Sequence, residues 1–166
     1  MMRPLAIAAC LFGVLSASAA DQGSVQVEPA LQGSRPLAKQ TEAAVIRDYL
    51  EAWQSLSAAM EQNRAVLLTQ DFVGNARDKF TATIDEQSKL GLSARYQERS
   101  HDIQVTFYSP EGLSIQLVDN IEYDVQLLDH GKVQATEPVH ARYVAVLTPA
   151  EVRWKVRVLQ AEPQVK

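Results

Sequence analysis

Residues 103–117 read IQVTFYSPEGLSIQL, and their alternation decides the architecture of the second half of the chain. Ile103, Val105 and Phe107 alternate with Gln104, Thr106 and Tyr108. Ser109-Pro110-Glu111-Gly112 has turn chemistry, and Leu113, Ile115 and Leu117 then alternate with Ser114 and Gln116. Successive strand side chains point to opposite faces, so this period predicts an antiparallel hairpin with one buried face. The phase continues through Ile121, Tyr123, Val125 and Leu127, turns at Asp129-His130-Gly131, and resumes at Val133, Ala135, Val139, Ala141 and Tyr143. A last turn, Thr148-Pro149-Ala150-Glu151, leads to Val152, Trp154, Val156 and Val158 on one face and Arg153, Lys155 and Arg157 on the other.

Upstream of about Ala94 the period is helical. After Thr41-Glu42-Ala43-Ala44, a start signal, Val45, Ile46, Tyr49, Leu50, Trp53, Leu56 and Met60 recur at spacings of three and four. That predicts an amphipathic helix with an aromatic inner face and a polar face of Arg47, Asp48, Glu51 and Gln54. Ala65, Val66, Leu67 and Leu68 extend it or form a short second helix after Asn63. Gly74-Asn75 breaks the pattern, and Phe80, Ile84, Gln87 and Leu90 carry a further helix to a stop at Gly91. Helices first and antiparallel strands after them define an α+β domain over residues 41–160, with residues 161–166 as a tail.

At the front, Met1-Met2-Arg3 is a short basic start, and Leu5 to Ala20 runs uncharged into Ser18-Ala19-Ala20. Basic, apolar, then small is the order of a secretory signal, so residues 1–20 read as a signal peptide cut near Ala19 or Ala20. The mature chain is then periplasmic or secreted, and it touches the membrane only through the signal segment. An uncleaved anchor is the rival reading, against which stands an apolar run shorter than the roughly 20 residues of a spanning helix. Cys10 follows Ala8-Ala9 in a faint lipoprotein-like box; read as part of the signal, the single cysteine leaves with it, and with it disulfides and thiolate chemistry. Residues 21–40 mix Gly, Ser, Pro and Gln without a period and read as a flexible lead-in.

Length and composition are those of one ordinary globular domain: 166 residues, 46% hydrophobic and 22% charged. Without Arg3 of the signal, the 16 basic residues become 15 against 20 acidic ones, a balance that repels phosphate backbones and disfavours nucleic acid. No phosphate loop, nucleophile elbow, zincin motif or calcium loop occurs, and no cofactor is implied. His101, His130 and His140 do not share a face, so no metal set is expected.

The turns also suggest a register. A three-residue loop at Asp129-His130-Gly131 pairs Leu127 with Val133 and Tyr123 with Glu137. The first turn brings His101 to Asp119, and the last sets Leu147 against Val152. Most ionisable groups then point outward, and His101, Asp119 and Glu137 are the exceptions on the apolar face. A carboxylate beside an imidazole in a dry cavity can do general acid-base work, with Tyr123 as a hydrogen-bond donor. Such pairs also occur in purely structural networks, and that reading stands first. Glu137 beside Pro138 marks a strand kink or lines a cavity. Tyr49, Trp53, Tyr96, Phe107, Tyr143 and Trp154 are core, or they line a cavity for an apolar ligand. Arg142, Arg153, Lys155 and Arg157 form an outer strip that shares its face with Glu122 and Asp124.

The element order, with a long first helix bearing a central Trp53, and the ending Arg142-Tyr143-Val144-Ala145-Val146-Leu147, turn, Trp154-Lys155-Val156-Arg157-Val158-Leu159-Gln160, resembles the nuclear transport factor two-like (SnoaL-like) superfamily. That resemblance implies helices packed in the concave face of a curved, mainly antiparallel sheet, a cone-shaped, cystatin-like roll. It also implies an apolar cavity at the open end and frequent dimers through the outer sheet face. Enzymes of the superfamily are isomerases, dehydratases and cyclases that place an Asp, often with a His or Tyr, in the cone. Many other members only bind or assemble. Carried onto this chain, the enzymatic role falls to Asp119, His101 and Tyr123, and the non-enzymatic one to an apolar small ligand or a partner protein.

Overall fold

The helical period upstream of residue 90 becomes two helices. α1 (Lys39–Gln62) buries Val45, Tyr49, Trp53, Leu56 and Met60, the stripe that the spacing of three and four predicts. α2 (Gly74–Lys89) buries Phe80 and Ile84. A short 3-10 turn, Ala65–Leu68, links them and seals Leu68. The structure is a computed structural model and describes residues 25–29 and 35–163; the signal-peptide reading of residues 1–20 lies outside them. Among the described residues no helix is long and apolar enough to cross a membrane.

The strands are β1 (Val25–Pro29), β2 (Leu92–Tyr108), β3 (Ile115–Asp129), β4 (Lys132–Pro149) and β5 (Trp154–Ala161), side by side in that order. β2 to β5 form an antiparallel meander, curved and unclosed, whose concave face takes the helices. β1 lies parallel to β2, from Val25 opposite His101 to Pro29 opposite Val105. It falls within the stretch read as a flexible lead-in; Val25-Gln26-Val27-Glu28 does alternate, over too few residues to stand out as a strand.

The predicted register needs correction. His101 lies opposite Ile121, Asp119 opposite Ile103 and Tyr143, Tyr123 opposite Val139, and Val125 opposite Glu137. The turn after β3 is a two-residue one, since Asp129 pairs with Lys132, and both His130 (φ 48°) and Gly131 (φ 78°) are left-handed. An extra residue, Gln134, is then bulged out of β4 between the partners of Leu128 and Leu127. Together these slip the pairing by two positions from Ala135 onward, which keeps those side chains on their expected face, whereas Val133, before the bulge, pairs with Leu128 and leaves the phase of Ala135.

Other bulges change faces. In β2, Thr106 is extra between Val105 and Phe107, so Tyr108 turns into the core and Phe107 shares the outer face with Gln116. In β5, Arg157 is extra, so Leu159 is buried and Val158 is not. Leu113 and Val152, expected on the inner face, sit at exposed loop tips, 63% and 86% accessible. Leu90 is exposed at the end of α2, and Gly91 (φ 70°) turns the chain as expected.

Polar ties fasten the helices to the last strand. Asp48, expected on the polar face of α1, is buried; its Oδ2 accepts the backbone N–H of Trp154 at 2.8 Å and its Oδ1 that of the Arg47 guanidinium at 2.7 Å. Arg153 also departs from the outer strip. Its Nη1 donates to Asp71 Oδ1 at 2.5 Å and to Glu51 Oε2 at 3.2 Å. Asp71 accepts Ser55 Oγ as well, and its backbone O accepts Val156 N–H, which clips the 3-10 segment to the edge of β5.

Candidate functional site

Inward-facing positions on adjacent strands bring His101 and Asp119 together. They are diagonal rather than directly opposite neighbours, and such pairs remain within reach of an imidazole. His101 Nδ1 lies 2.7 Å from Asp119 Oδ2, and the same oxygen accepts the Tyr49 hydroxyl of α1 at 2.9 Å. Tyr49, expected as cavity lining, thus joins the pair directly. Asp119 and Tyr49 are fully buried, and His101 is 4% exposed.

A fourth member comes from a bulge. Arg99 is the extra residue between Glu98 and Ser100, which puts Glu98 opposite Tyr123 on the inner-face phase. Strict alternation from His101 would turn Glu98 outward. Instead its Oε2 lies 3.1 Å from His101 Nε2. No sequence signal marks Glu98, because nothing in the residue types announces the bulge.

The imidazole therefore sits between two carboxylates. Burial works against its charge, but hydrogen bonds to Asp119 and Glu98, reinforced by their negative charges, outweigh it and raise the His101 pKa to about 9. At neutral pH both ring nitrogens carry protons, so His101 donates rather than accepts. Burial, with the Asp119 charge as second cause, raises Tyr49 well above the usual phenol range.

Trp53 roofs the group. Its ring centroid lies 5.9 Å from that of His101, 5.9 Å from Tyr123 and 5.3 Å from Tyr143. Tyr123 does not bond to Asp119; its hydroxyl lies 3.2 Å from that of Tyr143, and its ring packs on Tyr96 at 5.6 Å. Burial raises the Tyr96, Tyr123 and Tyr143 phenols above their usual range, so each serves as a neutral hydroxyl. Among the described residues, two buried side-chain polar atoms make no well-aligned hydrogen bond, Asp119 Oδ1 and Trp53 Nε1, though Trp53 lies near enough the Tyr49 hydroxyl to offset part of its upward shift.

The rest of the expected lining divides. Trp154 packs against Tyr108 at 6.4 Å, toward the opposite end of β2 from Tyr96. Phe107 is on the outer face, as above. Glu137 is exposed, because β4 there runs beyond the helices. Two solvent-open grooves lie away from Asp119. One, of about 390 Å³, is lined by Asp102, Asn120, Glu122, His140 and Arg142 on the outer sheet face; the other, of about 450 Å³, by Glu51, Ser55, Gln70, Asp71 and Arg153 beside α1. His130 and His140 each pair with their own carboxylate, Asp129 at 2.5 Å and Glu122 at 3.2 Å. Among the described residues no three His, Cys, Asp or Glu side chains converge as a metal ion would need.

No protein-family model matches the chain, and no curated protein matches it. Solved structures do. The intermembrane-space region of the chloroplast protein ARC6 superposes with a TM-score of 0.62 at 17% identity, over 76% of this chain and 98% of that one. A candidate scytalone dehydratase from Novosphingobium aromaticivorans gives 0.51 at 12% identity, over 76% and 89%. At such identities the likeness is one of fold, and the chain has the nuclear transport factor two-like fold that its sequence resembles.

Proposed function

We propose that this chain is an exported binding or assembly domain without chemistry of its own, and that it recognises a partner protein. One observation carries the reading: the inward polar group is shut. Asp119 is fully buried, its Oδ2 is taken by Tyr49 and His101, and Trp53, Tyr123 and Tyr143 fill the space above it. The Asp119, His101 and Tyr49 cluster then fastens α1 to β2 and β3 instead of meeting a substrate. A filled cone leaves the outer surfaces for recognition, which favours a partner protein over an apolar small ligand. The outer sheet face is polar and mixed in sign, with Arg99 on Asp124, Arg142 on Glu162 and His140 beside Glu122. Faces of that kind suit a polar, non-obligate contact.

Asp119→Asn tests the reading. A structural clasp predicts a folded variant that is less stable by about 1–3 kcal/mol in urea unfolding, because the buried network loses the negative charge that Tyr49 and His101 both address. Native mass spectrometry of the purified chain is expected to show no retained small molecule. A retained molecule that is lost from Asp119→Asn while stability stays unchanged would overturn it.

A second reading has its own support. Asp119 Oδ1 is a buried acceptor with no hydrogen bond, and Trp53 Nε1 a buried donor with only a poorly aligned approach to the Tyr49 hydroxyl. A hydroxyl group on a ligand would satisfy both. In that reading the domain is a cofactor-free isomerase, dehydratase or cyclase: Asp119 is the general base, His101 orients it and supplies a proton, and Tyr123 donates a hydrogen bond from the Tyr143 side. The same experiment separates the two readings.

A further inference from the structure

Of the two solvent-open grooves, the one of about 450 Å³ beside α1 holds unused hydrogen-bonding capacity. One wall is α1, with Gln54, Ser55 and Ala58; the other is the segment through and just after the 3-10 turn, with Leu67, Gln70 and Asp71. Arg153 joins the walls, since its Nη1 donates to both Glu51 Oε2 and Asp71 Oδ1. A guanidinium carries five N–H donors, and these two bonds take the pair on Nη1. The donors on Nε and Nη2 make no hydrogen bond among the described residues, and neither atom is shut off from solvent.

Charge decides what those donors can take. Asp71, Glu51 and Asp48 all act on Arg153 to keep it protonated. With Glu51 and Asp71 set against Arg153, the groove has an excess of negative charge, which repels a carboxylate or a phosphate and leaves a neutral carbonyl as the fitting acceptor. Gln54 and Gln70 stand exposed on opposite walls with no hydrogen bond among the described residues, each offering amide donors and an acceptor. Leu67 and Ala58 add apolar surface between them. An extended main chain presents one N–H and one C=O per residue, the groups that such walls match. The volume is also within the range of sites that enclose a specific ligand.

We propose, resting on the reading of the domain as a binder of a partner protein, that this groove docks an extended, uncharged segment of that partner. A main-chain carbonyl of the segment meets the open edge of the Arg153 guanidinium, and neighbouring amides meet Gln54 and Gln70. The contact lies on the helix side of the domain, apart from the outer sheet face.

A phage-displayed library of short random segments, panned on the full chain, supplies the probe. Its selected members, synthesised with both ends capped, are titrated into the wild type and into a Gln54→Ala, Gln70→Ala double variant. Both side chains are exposed and without hydrogen bonds among the described residues, so the double variant keeps the fold. The expected result is a set poor in Asp and Glu that binds the variant about tenfold more weakly or worse and shifts the Arg153 side-chain resonances in NMR spectra. Equal binding to both chains would overturn the groove and leave the partner reading standing. Enrichment in acidic segments would overturn the neutral chemistry, and an empty selection the docking of an extended segment. Failure of the partner reading shows separately, in a small molecule retained by the wild type and lost from Asp119→Asn.

Discussion

His101 is the residue on which most of the interior's electrostatics turns. Its folded pKa of about 9 lies above the roughly 6.5 of an exposed histidine, so the folded chain holds a proton that the unfolded chain releases in between. The contribution is fully present below about pH 6.5 and is lost as pH rises through about 9. Urea unfolding of the wild type should therefore show stability falling across that window, by up to about 3 kcal/mol for a shift of this size. His101→Gln should flatten that slope; a variant that kept it would show the proton to sit elsewhere. Asp119 and His101 were both legible in the sequence as polar residues on an apolar phase. Glu98 was not, since its inward turn depends on the bulge at Arg99, and Tyr49 was visible only as an aromatic ring and not as the donor to Asp119.

The elements show where periodicity serves and where it stops. α1 was readable throughout because its stripe continues unbroken from Val45 to Met60. The strands were readable as strands, and beyond Gln134 the slip by two did no harm to their faces, since two is the strand period; only Val133, before that bulge, left its phase. Single-residue bulges at Thr106 and Arg157 did do harm: each shifts the phase by one, which is why Phe107 and Tyr108, and Val158 and Leu159, exchange faces. Asp48 escaped for another reason. Its spacing on α1 gives no hint that β5 begins beside it with an N–H to satisfy. Asp48→Ala should leave that Trp154 N–H unpaired and cost about 1–3 kcal/mol in urea unfolding, more than Glu42→Ala in the half-buried first turn of the same helix. Equal costs would show the tie between α1 and β5 to be slack.

At the scale of the molecule, the order of strands sets a gradient of protection. β3 is paired on both sides along its whole length, with β2 and with β4, and its inner residues Ile115, Leu117, Asp119 and Ile121 are buried under the helices. β1 has one partner over five positions. Amide exchange reports the opening free energy of each segment, from near zero at loose edges to the global value in a core. The backbone amides of Leu117 to Tyr123 should accordingly exchange only through global unfolding, and those of Gln26 to Glu28 many orders of magnitude sooner. Were β1 as slow as β3, it would open only with the whole sheet, and the edge pairing would be as firm as the central one.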